Sequence, residues 1–431
     1  VRAPSKLLIT PVLTRSWTGR RPWTLPSYLG HDGYTALAAA RSMPPGEVIA
    51  LVRAAGLRGR GGAGFPTAAK WGALPRDGVS RYLVVNANEA EPGACKDVPL
   101  LLANPHEVVE GALIAAHAIG ARHVVVYLRG EVLPALRRLQ HAVAEAARGG
   151  YLGTVSLVVH AGAGAYVCGE ETALLQSLEG RRPQPSLRSP GERAAVLYGR
   201  PAVINNVETI ARVPSIVRNG PAWFRSMGTE DSPGCTLFSL SGHLARPGQY
   251  EAPFGVTARE LFSLAGGIRR GHRLKFWSPG GASAPVLTAG HLDVPLDHAG
   301  VAAAGSALGA AAVQVFDETT CVVRAVLRWA EFYAAESCGK CTPCRQGTGW
   351  LVRVLRDLER GAADASALGT LLTVSETITS ASFCAFGAGS TGALTSSLTH
   401  FRDEYLAHVR LRGCPFDPAH STRFAAAGAM R

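Results

Sequence analysis

Long apolar runs are missing from this sequence. No stretch reaches the roughly 18 residues expected of a membrane-spanning helix, and the longest candidate, 301–316, is rich in Ala and Gly and too short. The early basic residues Arg2, Lys6, Arg15, Arg20 and Arg21 are not followed by the apolar core of a signal peptide. Lysine is scarce as well, with five residues against 39 arginines in a net charge of +12. A basic balance carried by Arg in an Ala- and Gly-rich chain fits a GC-rich coding bias, or an acidic protein partner. No basic block interleaved with aromatics is present, which argues against nucleic acid as a partner. An internal repeat is also lacking. These absences predict a soluble, cytoplasmic protein without a membrane span of its own, held peripherally at the inner face of the membrane, if at all, through partners.

The 431 residues are 47% apolar and 18% charged, the balance of a folded chain with room for several domains. Residues 1–45 are rich in Pro, Trp and Arg, and their weak periodicity predicts an extended arm. Over 46–234 helical and strand patterns alternate. Helices are expected at 47–56, 108–119, 133–147 and 172–178, and buried strands at 81–85, 123–128 and 156–159. That alternation predicts a layered α/β domain. Residues 235–315 change character, with a short strand at 236–241 among Gly, Pro and brief apolar runs, and suggest a small α+β module. From 316 to 431 the pattern is helical, with four helices expected at 321–335, 349–359, 368–379 and 388–408.

Nine cysteines, three of them within seven residues, suit metal binding better than a disulfide framework in a chain this long. Cys338, Cys341 and Cys344 form a C-x-x-C-x-x-C run that directs successive thiolates into one pocket, with Gly339 and Pro343 at the tight turns. An iron–sulfur cluster of this kind takes four thiolates. Cys384 is the best fourth ligand, with Cys414 the alternative. Lys340 and Arg345 flank the run and would offset an anionic cluster. A four-cysteine structural zinc site is the competing reading, although zinc sites usually come as separated C-x-x-C pairs.

The second signal is a glycine-rich loop. Gly59, Arg60, Gly61, Gly62, Ala63, Gly64 and Phe65 contain G-x-G-x-x-G, but a helix precedes it where the dinucleotide fingerprint wants a strand. The glycines still let the backbone approach a bulky ligand, with N–H groups toward phosphate and Lys70 adding charge. The turn Asn86 to Gly93 follows a strand, at the edge where ligands bind in open α/β sheets. Gly162 to Thr172 also follows a strand and opens a helix with Glu170 and Glu171, which either start that helix or accept ligand hydroxyls. Cys168 reads as a small core residue. Asn205 and Asn206 offer amides that donate and accept, suiting a flavin edge or a helix cap.

Together these segments resemble the NADH- and FMN-binding flavoprotein subunit of respiratory complex I, a family that includes the diaphorase subunits of NAD-linked hydrogenases and formate dehydrogenases. The resemblance covers roughly 46–411 and rests on 56–67, 86–97, 162–178, 204–209 and 336–345. It implies an α/β FMN-binding domain, a ubiquitin-like SLBB module and a C-terminal helical bundle with an iron–sulfur site. It implies FMN at Gly61, Gly62, Lys70, Asn86, Asn88, Tyr166, Gly169, Glu170, Asn205 and Asn206, with Arg60 and Gly64 beside them on the loop. NADH is expected near Phe65, Glu91 and Glu171, and a 4Fe-4S cluster at Cys338, Cys341, Cys344 and Cys384. Three departures from the family pattern stand out. Asn88 replaces the usual Asp. The stretch 185–191 keeps a basic residue at Arg188 but has Gly191 in place of a stacking Phe. Val98 follows Lys96 and Asp97 where Arg is common.

The expected activity is NADH:acceptor oxidoreduction, with electrons passing from NADH through FMN to the cluster and on to a partner. That partner would be a small two-iron or ferredoxin-type subunit, within a larger membrane-associated or dehydrogenase complex. Hydride transfer needs no general acid or base, so no catalytic side chain is assigned. Two other readings follow from the same residues: a flavin and iron–sulfur relay loaded by a ferredoxin-like protein, motivated by the altered 185–191 stretch, and a non-catalytic assembly protein with a structural metal.

Overall fold

The structure is a computed structural model that describes residues 11–74, 78–187 and 195–416. Apolar strand segments separated by amphipathic helices build a first sheet. Its strands are β1 (Tyr82–Ala87), β2 (His123–Arg129), β3 (Ser156–Gly162), β4 (Ala195–Leu197) and β5 (Arg200–Asn206), in the order β3-β2-β1-β5-β4. β1, β2, β3 and β5 are parallel, and β4 adds antiparallel to the edge. Alternate residues of β1 serve opposite faces, Leu83 and Val85 one core and Val84 another. The first face is covered by the helix Pro105–Ile119, in which every residue but His117 is buried. The second face is covered by Glu171–Leu178.

A second sheet holds β6 (Cys235–Gly242), β7 (Gly248–Pro253), β8 (Leu274–Ser278), β9 (Leu287–Thr288) and β10 (Ala312–Asp317), in the order β7-β6-β10-β8-β9. β6 and β10 pair in parallel, and their other neighbours run antiparallel. Phe262, on the helix Ala258–Leu264, meets Trp277 of β8 edge-on at 5.7 Å. On the side of the helical region, Phe276 stacks on Phe316 at 4.6 Å.

Among the described residues, the C-terminal region has five helices where the sequence pattern predicts four: Val322–Glu336, Thr342–Arg360, Ser366–Ala381, Phe386–His400 and Arg402–Arg410. The stretch 388–408 breaks at Phe401, which leaves helical geometry (φ −131°, ψ 31°) as its ring packs on Phe276 at 5.7 Å. A new helix then starts with Asp403 and Glu404 at its favourable N-terminus. The segment expected to be an extended arm is instead packed and partly helical over its described part. Leu25–Leu29 and Thr35–Ser42 are helices, and Leu13, Tyr28, Tyr34 and Leu37 are buried. Two buried carboxylates anchor it: Glu110 accepts the Tyr34 and Leu37 N–H groups at 2.9 and 2.8 Å, and Glu251 accepts those of Val12 and Leu13 at 3.0 Å. Such long-range partners leave no local periodicity.

No described helix is long and apolar enough to cross a membrane.

Candidate functional site

Parallel pairing brings two asparagine-bearing strand ends to one edge. Asn86 at the end of β1 lies opposite Asn206 at the end of β5. The glycine loop folds over the same edge. Its base is pinched by an Arg58–Pro66 bridge and by the Gly59 N–H, which donates to the Phe65 carbonyl at 2.9 Å. The Arg60 N–H ties it to Thr209 Oγ1 at 2.8 Å. A Cβ on Gly61 would sit 2.9 Å from the Asn206 Cβ, and Gly62 has φ +133°, so this approach requires glycine.

The loop, the strand ends and the second sheet enclose a cavity of about 440 Å³. Gly61, Gly62, Asn86, Asn88, Glu91, Tyr166, Gly169, Glu170 and Asn206, all expected from the sequence, line it. Asn86 donates through Nδ2 to the Gly169 carbonyl at 2.9 Å and accepts the Asn88 N–H at 3.0 Å. Asn88 donates through Nδ2 to the Ala165 carbonyl at 3.2 Å, while its Oδ1 is buried with no protein partner. An Asp at this position would set carboxylate against carbonyl, so the amide suits its neighbours here. Glu170 caps Glu171–Leu178, accepting the Ala173 N–H at 2.9 Å. Glu91 accepts from Tyr166 Oη at 2.6 Å, the Ser283 N–H at 2.9 Å and Tyr333 Oη at 3.3 Å. Burial pushes the Glu91 carboxyl above its ordinary range, against the pull of those donors.

Other expected residues sit outside this cavity. Arg60 is buried, donates to the Arg58 and Pro233 carbonyls at 3.0 and 2.9 Å, and lies 4.4 Å from the centre of the Phe254 ring; it holds the loop. Gly64 rests on His298, whose ring a Cβ would meet at 2.5 Å. Asn205 accepts from Trp71 Nε1 at 2.8 Å. Phe65, Lys70 and Glu171 line a second cavity of about 340 Å³ that shares Ala63 with the first. There Lys70 pairs with Glu171 and donates to the Ile204 carbonyl at 3.0 Å, and Phe65 is 55% exposed. Arg188 and Gly191 lie outside the described residues.

Sequence reasoning missed several lining groups. Glu89 accepts the backbone N–H groups of Lys96 and Val98 at 2.7 and 3.1 Å, and Lys96 is buried between Asp97 and Glu208 at 2.8 and 3.1 Å. The Lys96-Asp97 pair was visible in the sequence, but its burial was not. Gly280, Ser283 and Ala310 come from loops of the second sheet and carry no local signal.

Next to this cavity, Cys338, Cys341, Cys344 and Cys384 line one pocket together with Lys340 and Phe383. Gly339 takes φ +77°, which turns the chain between the first two cysteines. Cys341 immediately precedes Thr342–Arg360 and Cys344 lies in its first turn, so both sulfurs sit at the positive end of a helix. Lys340 Nζ lies 3.9 Å from the centre of the Phe383 ring. Arg345 instead turns back to the Gly339 carbonyl. Cys414 is remote from this group and lies against Arg324. Val167, Cys384 and Phe386 line both the cysteine pocket and the larger cavity.

A flavin nucleotide fits the larger cavity: the volume is in the usual cofactor range, the glycines form a cradle, and one buried amide oxygen lacks a partner. Four free thiols around one pocket match the donor set of a four-iron cluster.

Residues 52–215 match the Nuo51 FMN-binding domain family, and residues 324–408 match the NADH-ubiquinone oxidoreductase-F iron-sulfur binding region. The chain is 60% identical over 429 residues to the NADH-quinone oxidoreductase F subunit of Mycobacterium tuberculosis, covering 96% of each. The chain belongs to the family of NADH-quinone oxidoreductase F subunits. The Escherichia coli member is 41% identical over 423 residues, covering 95% of this chain and 94% of that one. Among solved structures, an NAD+-reducing NiFe hydrogenase in the air-oxidized state is similar, with a TM-score of 0.81 and 37% identity over 95% of this chain and 69% of that one. Membership of this family bears out the resemblance found in the sequence motifs and the expectation of an FMN domain with an iron–sulfur region.

Proposed function

We propose that this chain is the electron-input component of a multi-subunit NADH oxidoreductase, taking electrons from NADH at an FMN and passing them to a 4Fe-4S cluster. The observation that carries this is the wall formed by Val167, Cys384 and Phe386, which belongs to both the larger cavity and the cysteine pocket. When bound, FMN supplies the chemistry that links two-electron hydride acceptance to one-electron release. The protein's share is position and electrostatics. Gly61 and Gly62 bring backbone N–H groups to the phosphate side. The unpartnered Asn88 oxygen accepts from the ligand, and Gly169 and Asn206 close the remaining edges. Cys338, Cys341, Cys344 and Cys384 hold the cluster.

The dinucleotide would span both cavities, each of which Ala63 lines. Its nicotinamide end lies by Glu91, and its other end lies by Lys70 and Glu171 under the exposed Phe65 ring. Glu91 positions substrate and moves no proton, since hydride transfer requires none. We further assign residues 46–234 to the flavin domain, 235–315 to an SLBB-type ubiquitin-like module and 316–431 to the iron–sulfur bundle, with a small two-iron or ferredoxin-type protein as the partner that takes the electrons. The NADH-quinone oxidoreductase names of the relatives favour NADH as donor over a ferredoxin.

NADH added anaerobically to the purified flavin- and iron-loaded chain should bleach the flavin absorbance within the mixing time. If dithionite bleaches it and NADH does not, the assignment of the donor is overturned.

A further inference from the structure

The helical bundle carries a second group of metal-type donors, separate from the cysteine run. Cys321 caps the helix Val322–Glu336, and Glu359 lies in the last turn of Thr342–Arg360. His408 lies in the last turn of Arg402–Arg410, and Cys414 follows that helix. One donor atom from each lies within 4.8 Å of all the others. Cys321, Glu359 and His408 are buried and Cys414 is half-buried. His408 Nε2 is 3.3 Å from Cys321 Sγ and 3.5 Å from Glu359 Oε2, and Cys321 Sγ is 4.0 Å from the same oxygen. A tetrahedron with zinc–ligand bonds of about 2.0–2.3 Å has edges of roughly 3.3–3.8 Å, so these donors already stand near ligand spacing.

We propose that Cys321, Glu359, His408 and Cys414 form a structural zinc site. Three observations beyond proximity support it. First, the imidazole is oriented for it: His408 Nδ1 donates to the Glu404 carbonyl at 2.8 Å, which turns Nε2 toward Cys321 Sγ and Glu359 Oε2 and is the usual outer-shell device for a metal-bound histidine. Second, the carboxylate is divided. Glu359 Oε1 accepts from Arg324 at 2.8 and 3.0 Å, which leaves Oε2 for the metal. Third, the charges close. Two thiolates and one carboxylate around a divalent ion leave one negative charge, and Arg324, with Nη2 3.1 Å from Cys414 Sγ, neutralises it. Two sulfurs, one imidazole nitrogen and one carboxylate select a borderline-soft tetrahedral ion. With four protein ligands no position is open to substrate, so the site is structural and ties three helices and the segment after them together.

The test uses the full chain with its flavin and iron, purified under reducing conditions, incubated with zinc chloride and desalted. Elemental analysis should find one zinc per chain in addition to the cluster iron. Zinc K-edge X-ray absorption should show two sulfurs at about 2.3 Å and two N/O ligands at about 2.0–2.2 Å. A Cys414→Ser chain should lose the zinc and keep flavin and iron, whereas Cys344→Ser should lose iron and keep zinc. If Cys414→Ser does not fold, the absorption spectrum of the unaltered chain decides alone. Absence of zinc after loading, a shell of nitrogen and oxygen only, or a Cys321–Cys414 disulfide in the reduced preparation would each overturn the site.

Discussion

Asn88 shows how one side chain sets the character of a cavity. It donates one amide hydrogen to the Ala165 carbonyl and leaves its oxygen buried and unpartnered. A net hydrogen bond is worth about 0.5–1.5 kcal/mol, or roughly three- to tenfold in affinity. Asn88→Ala should therefore weaken flavin binding by about that factor, measured by fluorescence titration of the flavin-stripped chain, with iron content unchanged. The residues legible from sequence are those whose neighbours in the chain carry the signal: the glycine loop, Asn86 after its strand, and the cysteine triplet. Ser283 was not legible, because its place beside Glu91 depends on the packing of one sheet against the other. Arg60 and Asn205 were legible as residues but not in direction; each sits in a ligand-type motif and spends its side chain on the protein's own groups.

Among the elements, helices were placed well where apolar residues recur and badly where glycine intervenes. Thr342–Arg360 starts seven residues before its sequence-expected position, because Gly347 and Gly349 mask the pattern. Gly347 is there for packing: a Cβ would lie 2.6 Å from Ile378 Cγ1 on the neighbouring helix. Gly347→Ala gains helix propensity of about 1 kcal/mol but overpacks at a cost of about 1–3 kcal/mol. The balance should be a loss. Thermal unfolding should show a lower midpoint for Gly347→Ala, recovered in part by pairing it with Ile378→Val.

At the scale of the molecule, the two sheets are joined through buried charge. Glu208 accepts from Arg212 at 2.8 Å and faces Lys96 at 3.1 Å, and Arg212 also reaches Glu251 on β7. Burial alone would raise the Glu208 carboxyl, but Lys96, Arg212 and Arg60 hold it down at about 2. Its pKa is thus lower folded than unfolded, so its contribution is complete above about pH 4.5 and is lost as pH falls from there toward 2. Wild-type melting temperature should drop steeply across that window. Glu208→Gln should be less stable at neutral pH by about 3–5 kcal/mol, the usual cost of breaking a buried pair, and should show a shallower acid limb. The α/β alternation foretold β1, β2 and β3 of the first sheet but not β4 or β5, and nothing local foretold this bridge between sheets. The wall of Val167, Cys384 and Phe386 has a consequence of another kind. Each of its residues lines two compartments at once, so a substitution there reshapes both. Spacing and shape on the two sides are inherited together, and drift at these three positions is confined to changes that both compartments tolerate.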